Sequence, residues 1–219
     1  MGYPVSIATT AGRIGGWRAD PAIPAKGALV VVQEIFGVNA HIREVVERFA
    51  AQGFVALAPA LFDCIEPDIE LEYTPDGVAR GRDLVEQLGF DRAVAMVDAA
   101  ACAVAEVGKV GAVGYCWGGT VAFLANTRLK LPAVSYYGGR TVPFLHERLS
   151  APMLFLFGEN DPIISAEDIA RHRERQPQAS FHVYAAGHGF NCDQRADFNQ
   201  AAATDALART LTFFTRTLT

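Results

Sequence analysis

The Gly-Tyr-Cys-Trp-Gly-Gly stretch at residues 114–119 decides the fold, because it places a cysteine where a buried strand turns into a helix. Residues 109–113 have the composition of a short buried strand, and residues 120–126 continue with helical spacing. Glycines beside the cysteine allow a strained backbone angle and close packing of helix against strand. The pattern matches the Gly-x-nucleophile-x-Gly turn, with sulfur in place of the usual serine oxygen, and predicts that Cys116 is a nucleophile. The alternative is a buried free cysteine in a tight turn.

Two polar residues follow later strand-like runs. Asp161 comes after the apolar run at residues 153–157, and His188 comes after residues 181–184. Taken alone, each could be an ordinary loop residue. The order nucleophile, acid, base is that of the α/β hydrolases, and the carboxyl ends of parallel strands meet at one edge of a sheet. The sequence therefore predicts that Cys116, Asp161 and His188 share a crevice.

Four segments in this order resemble the dienelactone hydrolase family, the carboxymethylenebutenolidase-like branch of the α/β hydrolases. They are Glu34-Ile35-Phe36-Gly37, the stretch at residues 114–119, the Asp161 loop and Gly187-His188-Gly189-Phe190. The resemblance covers nearly the whole chain and implies an α/β-hydrolase fold with a triad of Cys116, His188 and Asp161. It also implies that Glu34 contacts the resting thiol and helps to convert it to thiolate. The residues alone leave Glu34 open as a solvated residue at the end of a strand.

The resemblance further implies a carboxylesterase or lactonase that forms an acyl-cysteine intermediate and needs no metal or organic cofactor. The backbone N–H of Trp117, which follows the nucleophile, is expected to bind the developing oxyanion. The N–H of Ile35 is assigned the same task by resemblance. Substrate contacts are expected from Phe36, Cys64, Phe190 and Cys192.

The chain departs from the family at two positions. Lactone-cleaving members carry two arginines that grip the substrate carboxylate, and the corresponding positions here are Cys64 and Cys192. Because a thiol is a poor substitute for a charge-assisted clamp, we expect a less acidic ester, lactone or thioester as substrate. Three arginines nearby in the sequence could compensate, although surface charge is their default interpretation. They are Arg80, Arg82 and Arg195.

Composition bounds the possible function. The chain has 219 residues, 51% of them hydrophobic, and is expected to form one α/β domain over residues 1–219. A net charge of −5 without basic runs argues against nucleic acid or an anionic membrane as partner. The N-terminus has no secretory pattern, and the four cysteines include no close pair, which favours a reducing cytoplasm. We expect a monomer or a small homo-oligomer.

Short apolar runs alternate with amphipathic stretches, which is typical of a mainly parallel sheet with helices on both faces. A hairpin is predicted from residues 6–8 and 14–18, and further strands at residues 29–33, 54–58, 109–113, 133–137, 153–157 and 181–184. Helices are predicted from an Asn39 cap to about residue 52, from an Asp91 cap onward, and at residues 120–126, 166–175 and 196–218. Residues 63–76 are expected to overhang the active site or to form an ordinary acidic surface loop.

Two other classes of function remain open at this stage. The resemblance would bring Cys64, Cys116 and Cys192 to one pocket, so a thiol-based metal-binding or redox-responsive protein is one alternative. The other alternative is a binding protein that keeps the fold without turnover. Hydrolysis of a chromogenic short-chain ester would separate both alternatives from an enzyme.

Overall fold

The computed structural model describes residues 1–219, which divide into two compact units. The first unit comprises residues 1–111 with residues 218–219, and the second comprises residues 112–217. Eight strands and five α-helices follow one another along the chain. None of these helices combines the length and the apolar character that crossing a bilayer requires. One domain over residues 1–219 stays a prediction.

The first unit is built on a mixed set of strands. They are β1 (Tyr3–Thr9), β2 (Gly12–Ala19), β3 (Ala28–Val32) and β4 (Val55–Pro59), in the spatial order β1-β2-β4-β3. The predicted hairpin is confirmed, since β1 and β2 are antiparallel and meet at Thr9 and Gly12. β2 is also antiparallel to β4, whereas β3 and β4 are parallel. Every residue of β3 is buried, as expected for a parallel strand that helices cover on both faces.

Two helices accompany these strands. The helix α1 (Ala40–Ala51) begins as predicted, because the side chain of Asn39 accepts a hydrogen bond from the Ile42 N–H. The helix α2 (Pro75–Ala103) begins much earlier than the predicted cap at Asp91. Thr74 caps its first turn, and Gly89, with φ of 69°, interrupts the helical backbone two residues before Asp91. A helical stretch therefore starts just after Gly89, close to the predicted cap at Asp91, whereas the helical residues 75–88 before the kink were not predicted.

The second unit is built on parallel strands. The strand β5 (Val110–Tyr115) enters it at residue 112 and is followed by β6 (Ala133–Tyr136), β7 (Met153–Gly158) and β8 (Ser180–Tyr184), in that spatial order. All three pairings are parallel. Every residue of β6 and β7 is buried. The carboxyl ends of β5, β7 and β8 therefore meet at one edge, where Cys116, Asp161 and His188 follow them.

Three helices complete the second unit. They are α3 (Trp117–Leu129), α4 (Ala166–Arg175) and α5 (Gln200–Leu218). The bounds of α4 agree with the prediction, and Ser165 and Asp168 form a capping box at its start. The helix α5 begins four residues later than predicted, because Asn199 accepts a hydrogen bond from the Ala202 N–H and so caps it there.

Candidate active site

Cys116 occupies a strained turn between β5 and α3. Its φ of 55° and ψ of −121° lie outside the regions that residues with a Cβ ordinarily adopt. The turn is held by a hydrogen bond of 3.0 Å from the Cys116 N–H to the carbonyl of Tyr136. A Cβ at Gly114 would lie 1.8 Å from the carbonyl oxygen of Gly118, so strand and helix are in direct backbone contact. The predicted turn is thus present, and glycine at 114 permits it.

His188 bridges the other two predicted side chains. Its Nδ1 lies 2.7 Å from Asp161 Oδ2, and its Nε2 lies 3.1 Å from Cys116 Sγ. The second carboxylate oxygen, Oδ1, accepts hydrogen bonds from the backbone N–H groups of Ile163 and Ile164, which fixes the Asp161 side chain. Asp161 and His188 are only 6% and 3% exposed. The structure therefore brings these three predicted residues together in a hydrogen-bonded row.

The charges in this row determine where the proton resides. Burial of His188 opposes its protonation, but the negative charge that an ionised Cys116 would carry and the hydrogen bond to Asp161 outweigh it and raise the pKa of His188 to about 10. The protonated form of His188 is therefore favoured when Cys116 is ionised. Because Nδ1 and Nε2 of an imidazolium are both donors, one N–H points to the carboxylate and the other to sulfur.

Glu34 follows β3 in the first unit and is fully buried. Tyr73 donates a hydrogen bond of 3.0 Å to its Oε2, and the Asn39 amide donates one of 3.2 Å to the Tyr73 hydroxyl. Burial with such partners excludes the solvated alternative for Glu34. Its predicted contact with the resting thiol stays a prediction.

Comparison with known proteins identifies the class of this chain. The model of the dienelactone hydrolase family matches residues 14–218. The chain belongs to the dienelactone hydrolase family. Carboxymethylenebutenolidase from Pseudomonas sp. is 35% identical over 221 residues, which cover 92% of this chain and 91% of the relative. Carboxymethylenebutenolidase 1 from Cupriavidus pinatubonensis is 32% identical over 211 residues, which cover 91% and 90%.

Solved structures agree with this family. A provisionally named dienelactone hydrolase from Klebsiella pneumoniae superposes with a TM-score of 0.85 at 28% identity, covering 98% of each chain. A dienelactone hydrolase-like promiscuous phosphotriesterase from metagenomic libraries shares the fold, with a TM-score of 0.75 and 21% identity over 100% of this chain and 99% of the other. The predicted α/β-hydrolase fold is confirmed. As a dienelactone hydrolase family member, the chain is an enzyme of a hydrolase family that acts on small esters.

The oxyanion donors predicted for this family member occupy different units. Trp117 is the first residue of α3, and the N-terminus of a helix favours negative charge. Ile35 is half-buried, and its carbonyl packs so tightly over Gly81 that a Cβ there would lie 2.2 Å away. The binding of an oxyanion by these N–H groups stays a prediction.

Part of the predicted loop at residues 63–76 is bound to the segment that follows Glu34. Glu70 pairs with Gly37 in an antiparallel bridge, and the Leu71 N–H donates to the Phe36 carbonyl at 2.9 Å. The rings of Phe36 and Tyr73 meet edge to face at 4.5 Å between centroids. The segment is therefore more ordered than an ordinary acidic loop, while its position over the active site stays a prediction.

Cys64 and Cys192, which the resemblance aligns with the family's two arginines, have different surroundings. Cys64 is exposed, and partial burial raises the pKa of its thiol, although the charge of Arg92 opposes this shift. Cys192 is fully buried. Phe190 is also fully buried and packs against Tyr136, Tyr137 and Tyr184. Substrate contact by Phe36, Cys64, Phe190 and Cys192 stays a prediction, as does a shared pocket for the two cysteines.

The three arginines that could replace the two carboxylate-binding arginines of the family also lie in different surroundings. Arg80 forms an ion pair with Glu66, and Arg82 is exposed. The guanidinium of Arg195 packs over Gly189, the residue after His188, where a Cβ would lie 2.8 Å from Arg195 Cζ. Arg195 is thus the arginine placed next to the hydrogen-bonded row in the second unit.

One residue next to His188 was missed from the sequence. Tyr137 follows β6, and its ring lies 5.1 Å from the His188 ring in an edge-to-face arrangement. The sequence pattern assigned Tyr137 to the end of a strand. The Gly138-Gly139 pair after it is a turn signal, which could have shown that the chain changes direction there.

Proposed function

We propose that this family member cleaves a small ester or lactone with Cys116 as nucleophile, His188 as acid and base, and Asp161 as the residue that orients His188. The observation that carries the proposal is the position of His188, with Nε2 3.1 Å from the cysteine sulfur and Nδ1 2.7 Å from the buried carboxylate. A nucleophile, a base and an orienting group in hydrogen-bonded sequence are the parts that acyl transfer requires.

Acylation begins with attack of the Cys116 thiolate on the substrate carbonyl carbon. The carbonyl π electrons move to oxygen, and the N–H of Trp117, with that of Ile35 by family resemblance, is assigned to bind the resulting oxyanion. One such donor contributes roughly 3 kcal/mol to the barrier in well-studied enzymes. When the oxyanion collapses, the C–O bond breaks, and His188 Nε2–H protonates the departing alkoxide. The product of this step is a thioester on Cys116 with neutral His188.

Deacylation reverses these roles. His188 Nε2 takes a proton from a water molecule, whose oxygen attacks the thioester carbonyl. Collapse of the second oxyanion releases the carboxylic acid and restores the Cys116 thiolate beside protonated His188. Asp161 stabilises the imidazolium at both stages through its hydrogen bond to Nδ1.

The preferred substrate is proposed to be less acidic than that of lactone-cleaving family members. The family's two clamp arginines are replaced by Cys64 and Cys192, and a thiol cannot form a bidentate bond to a carboxylate. The free state of all four cysteines supports action in a reducing compartment such as the cytoplasm. Glu34 keeps the role that the family resemblance assigns to it, contact with the resting thiol.

The test of the proposal is turnover of p-nitrophenyl acetate by the Cys116→Ala variant. We expect kcat to fall by roughly 10⁴-fold or more, because loss of a nucleophile removes the covalent route. Cys102→Ala is the matched control, since Cys102 is an exposed cysteine on α2, and we expect it to keep wild-type turnover.

The result that would overturn the proposal comes from chemical modification. If iodoacetamide alkylates Cys116 nearly completely, as shown by peptide mass mapping, while turnover is unchanged, Cys116 is not the nucleophile. Residual turnover by Cys116→Ala close to that of the wild type would lead to the same conclusion.

A further inference from the structure

Tyr137 has an uncommon backbone conformation. Its φ is +41°, in the left-handed region that bulky residues rarely adopt, and its side chain is fully buried. The Tyr137 N–H donates to the Leu156 carbonyl at 2.8 Å, which extends the pairing of β6 with β7 by one residue. Such a conformation persists only where the surroundings impose it, and it is often associated with a functional site.

The unusual conformation changes the side of the strand on which the ring lies. Successive side chains of a regular strand point to opposite faces. The rings of Tyr136 and Tyr137 nevertheless both pack against Phe190, at centroid distances of 6.2 and 5.3 Å. The backbone turn at Tyr137 therefore places two consecutive rings on one side, and the second of them meets His188 at 5.1 Å.

His188 needs such a neighbour. Its hydrogen bonds to Asp161 and Cys116 leave from Nδ1 and Nε2 on either side of the ring, so they hold the ring along one axis. Small rotations about the Cα–Cβ and Cβ–Cγ bonds of His188 would tilt the ring and move Nε2 relative to sulfur, so packing against the ring is needed to limit them. The Tyr137 ring contacts the imidazole edge to face at an interplanar angle of 61°, an arrangement that pairs of aromatic rings favour.

We propose that Tyr137 is a positioning residue, whose ring holds the His188 imidazole at the tilt that directs Nε2 to the Cys116 sulfur. This inference rests on the proposed function, because the tilt matters only if His188 transfers protons at that nitrogen. Proton transfer depends steeply on geometry, and a misplacement of about 1 Å reduces a rate by up to roughly 10²-fold.

The test compares three variants in the hydrolysis of p-nitrophenyl acetate. Tyr137→Leu removes the ring, and we expect kcat to fall by at least about 10-fold while KM stays within about twofold. Tyr137→Phe keeps the ring and should retain kcat within about threefold. Phe155→Leu is the matched control, because Phe155 is an equally buried ring on β7 that contacts His172 and not His188.

The control separates positioning from stability. We expect Phe155→Leu to lower the melting temperature about as much as Tyr137→Leu and to keep the wild-type kcat. If Tyr137→Leu does not fold, Tyr137→Met, which keeps most of the volume without a ring, carries the same expectation. Wild-type kcat in the variant without the ring would overturn the inference, as would an equal loss of kcat in Phe155→Leu. Failure of the proposed function is recognised separately, by turnover that does not depend on Cys116.

Discussion

The second unit contains two buried histidines with opposite electrostatics. His188 is 3% exposed and His172, on α4, is 1% exposed. His188 has partners at both ring nitrogens, whereas His172 donates from Nδ1 to the Asp168 carbonyl at 2.7 Å and its buried Nε2 has no hydrogen-bond partner. Around His172 lie the rings of Phe155 and Phe157, at 5.2 and 5.0 Å.

The pKa values of the two residues show what burial alone does. Burial lowers the pKa of His172, and the backbone hydrogen bond only partly opposes it, so His172 is neutral at neutral pH. Burial acts in the same direction on His188, but Asp161 and an ionised Cys116 would reverse the outcome. Partners with charge, rather than burial, therefore distinguish a histidine suited to proton transfer from one that fills a core.

Removing the charge of Asp161 should have the largest effect, because it takes away one of the partners that distinguish His188 from His172. The Asp161→Asn variant keeps the shape of the side chain, but it no longer stabilises the imidazolium or selects the tautomer of His188. We expect kcat for p-nitrophenyl acetate to fall by roughly 10³- to 10⁴-fold with the fold intact. Steady-state kinetics and circular dichroism would check this.

Asp168→Asn provides the matched control for that variant. The Asp168 side chain belongs to the capping box of α4, and only its backbone carbonyl contacts His172. We expect a small loss of stability and wild-type kcat. A kcat of Asp161→Asn within tenfold of the wild type would remove Asp161 from the proposed mechanism.

A second variant tests whether Cys116 contributes to the raised pKa of His188. Cys116→Ser replaces the ionisable thiol by a hydroxyl that stays neutral in the same turn, so the pKa of His188 should fall from about 10 by at least about one unit. Titration of the His188 ring by NMR would measure it, with His172 in the same spectra as internal reference. An unchanged pKa would show that Asp161 alone sustains the charge of His188.

The smallest expected effect concerns His172 and stability. In the unfolded chain a histidine takes up its proton near pH 6.5, whereas folded His172 does so only at lower pH. Between these values the unfolded state binds more protons, so the free energy of unfolding falls as pH decreases below about 6.5. His172→Asn should remove this contribution, which amounts to about 1.4 kcal/mol for each unit by which the pKa is lowered.

Urea unfolding of both proteins at about pH 7.5 and about pH 5 would measure this difference. We expect the wild type to lose more stability between the two conditions than His172→Asn does. If the wild type and His172→Asn differ in free energy of unfolding by the same amount at both pH values, His172 has the same pKa in the folded and unfolded states.

Local chemistry explains what the sequence could predict. The turn at Cys116 was predictable because its glycines reflect a steric need of the neighbouring backbone, and α1 because Asn39 can satisfy an orphan N–H. Asp161 and His188 were selected from many polar residues because each follows a run of residues with the pattern of a strand. The early start of α2 was missed, although Thr74 and Pro75 are helix-start signals, because Gly77, Gly81 and Gly89 weaken the helical pattern that follows.

Other features depend on tertiary packing and were out of reach. Tyr137 has the composition of a strand end, and its positive φ arises where β6, β7 and the His188 loop meet. The bond from Tyr73 to Glu34 joins residues 39 positions apart, and no local pattern specifies it. Both of these missed features are contacts between segments that are distant in the sequence.

The backbone contact between Gly114 and Gly118 has a consequence for redesign of this enzyme. A methyl group at position 114 would meet a carbonyl oxygen at 1.8 Å, and a main-chain atom cannot rotate away as a side chain can. The first turn of α3 would have to move, and the Trp117 N–H and the cysteine would move with it. Libraries aimed at new substrates should therefore leave position 114 unaltered and vary other side chains. A single carbon added at position 114 would shift both the cysteine and the Trp117 N–H.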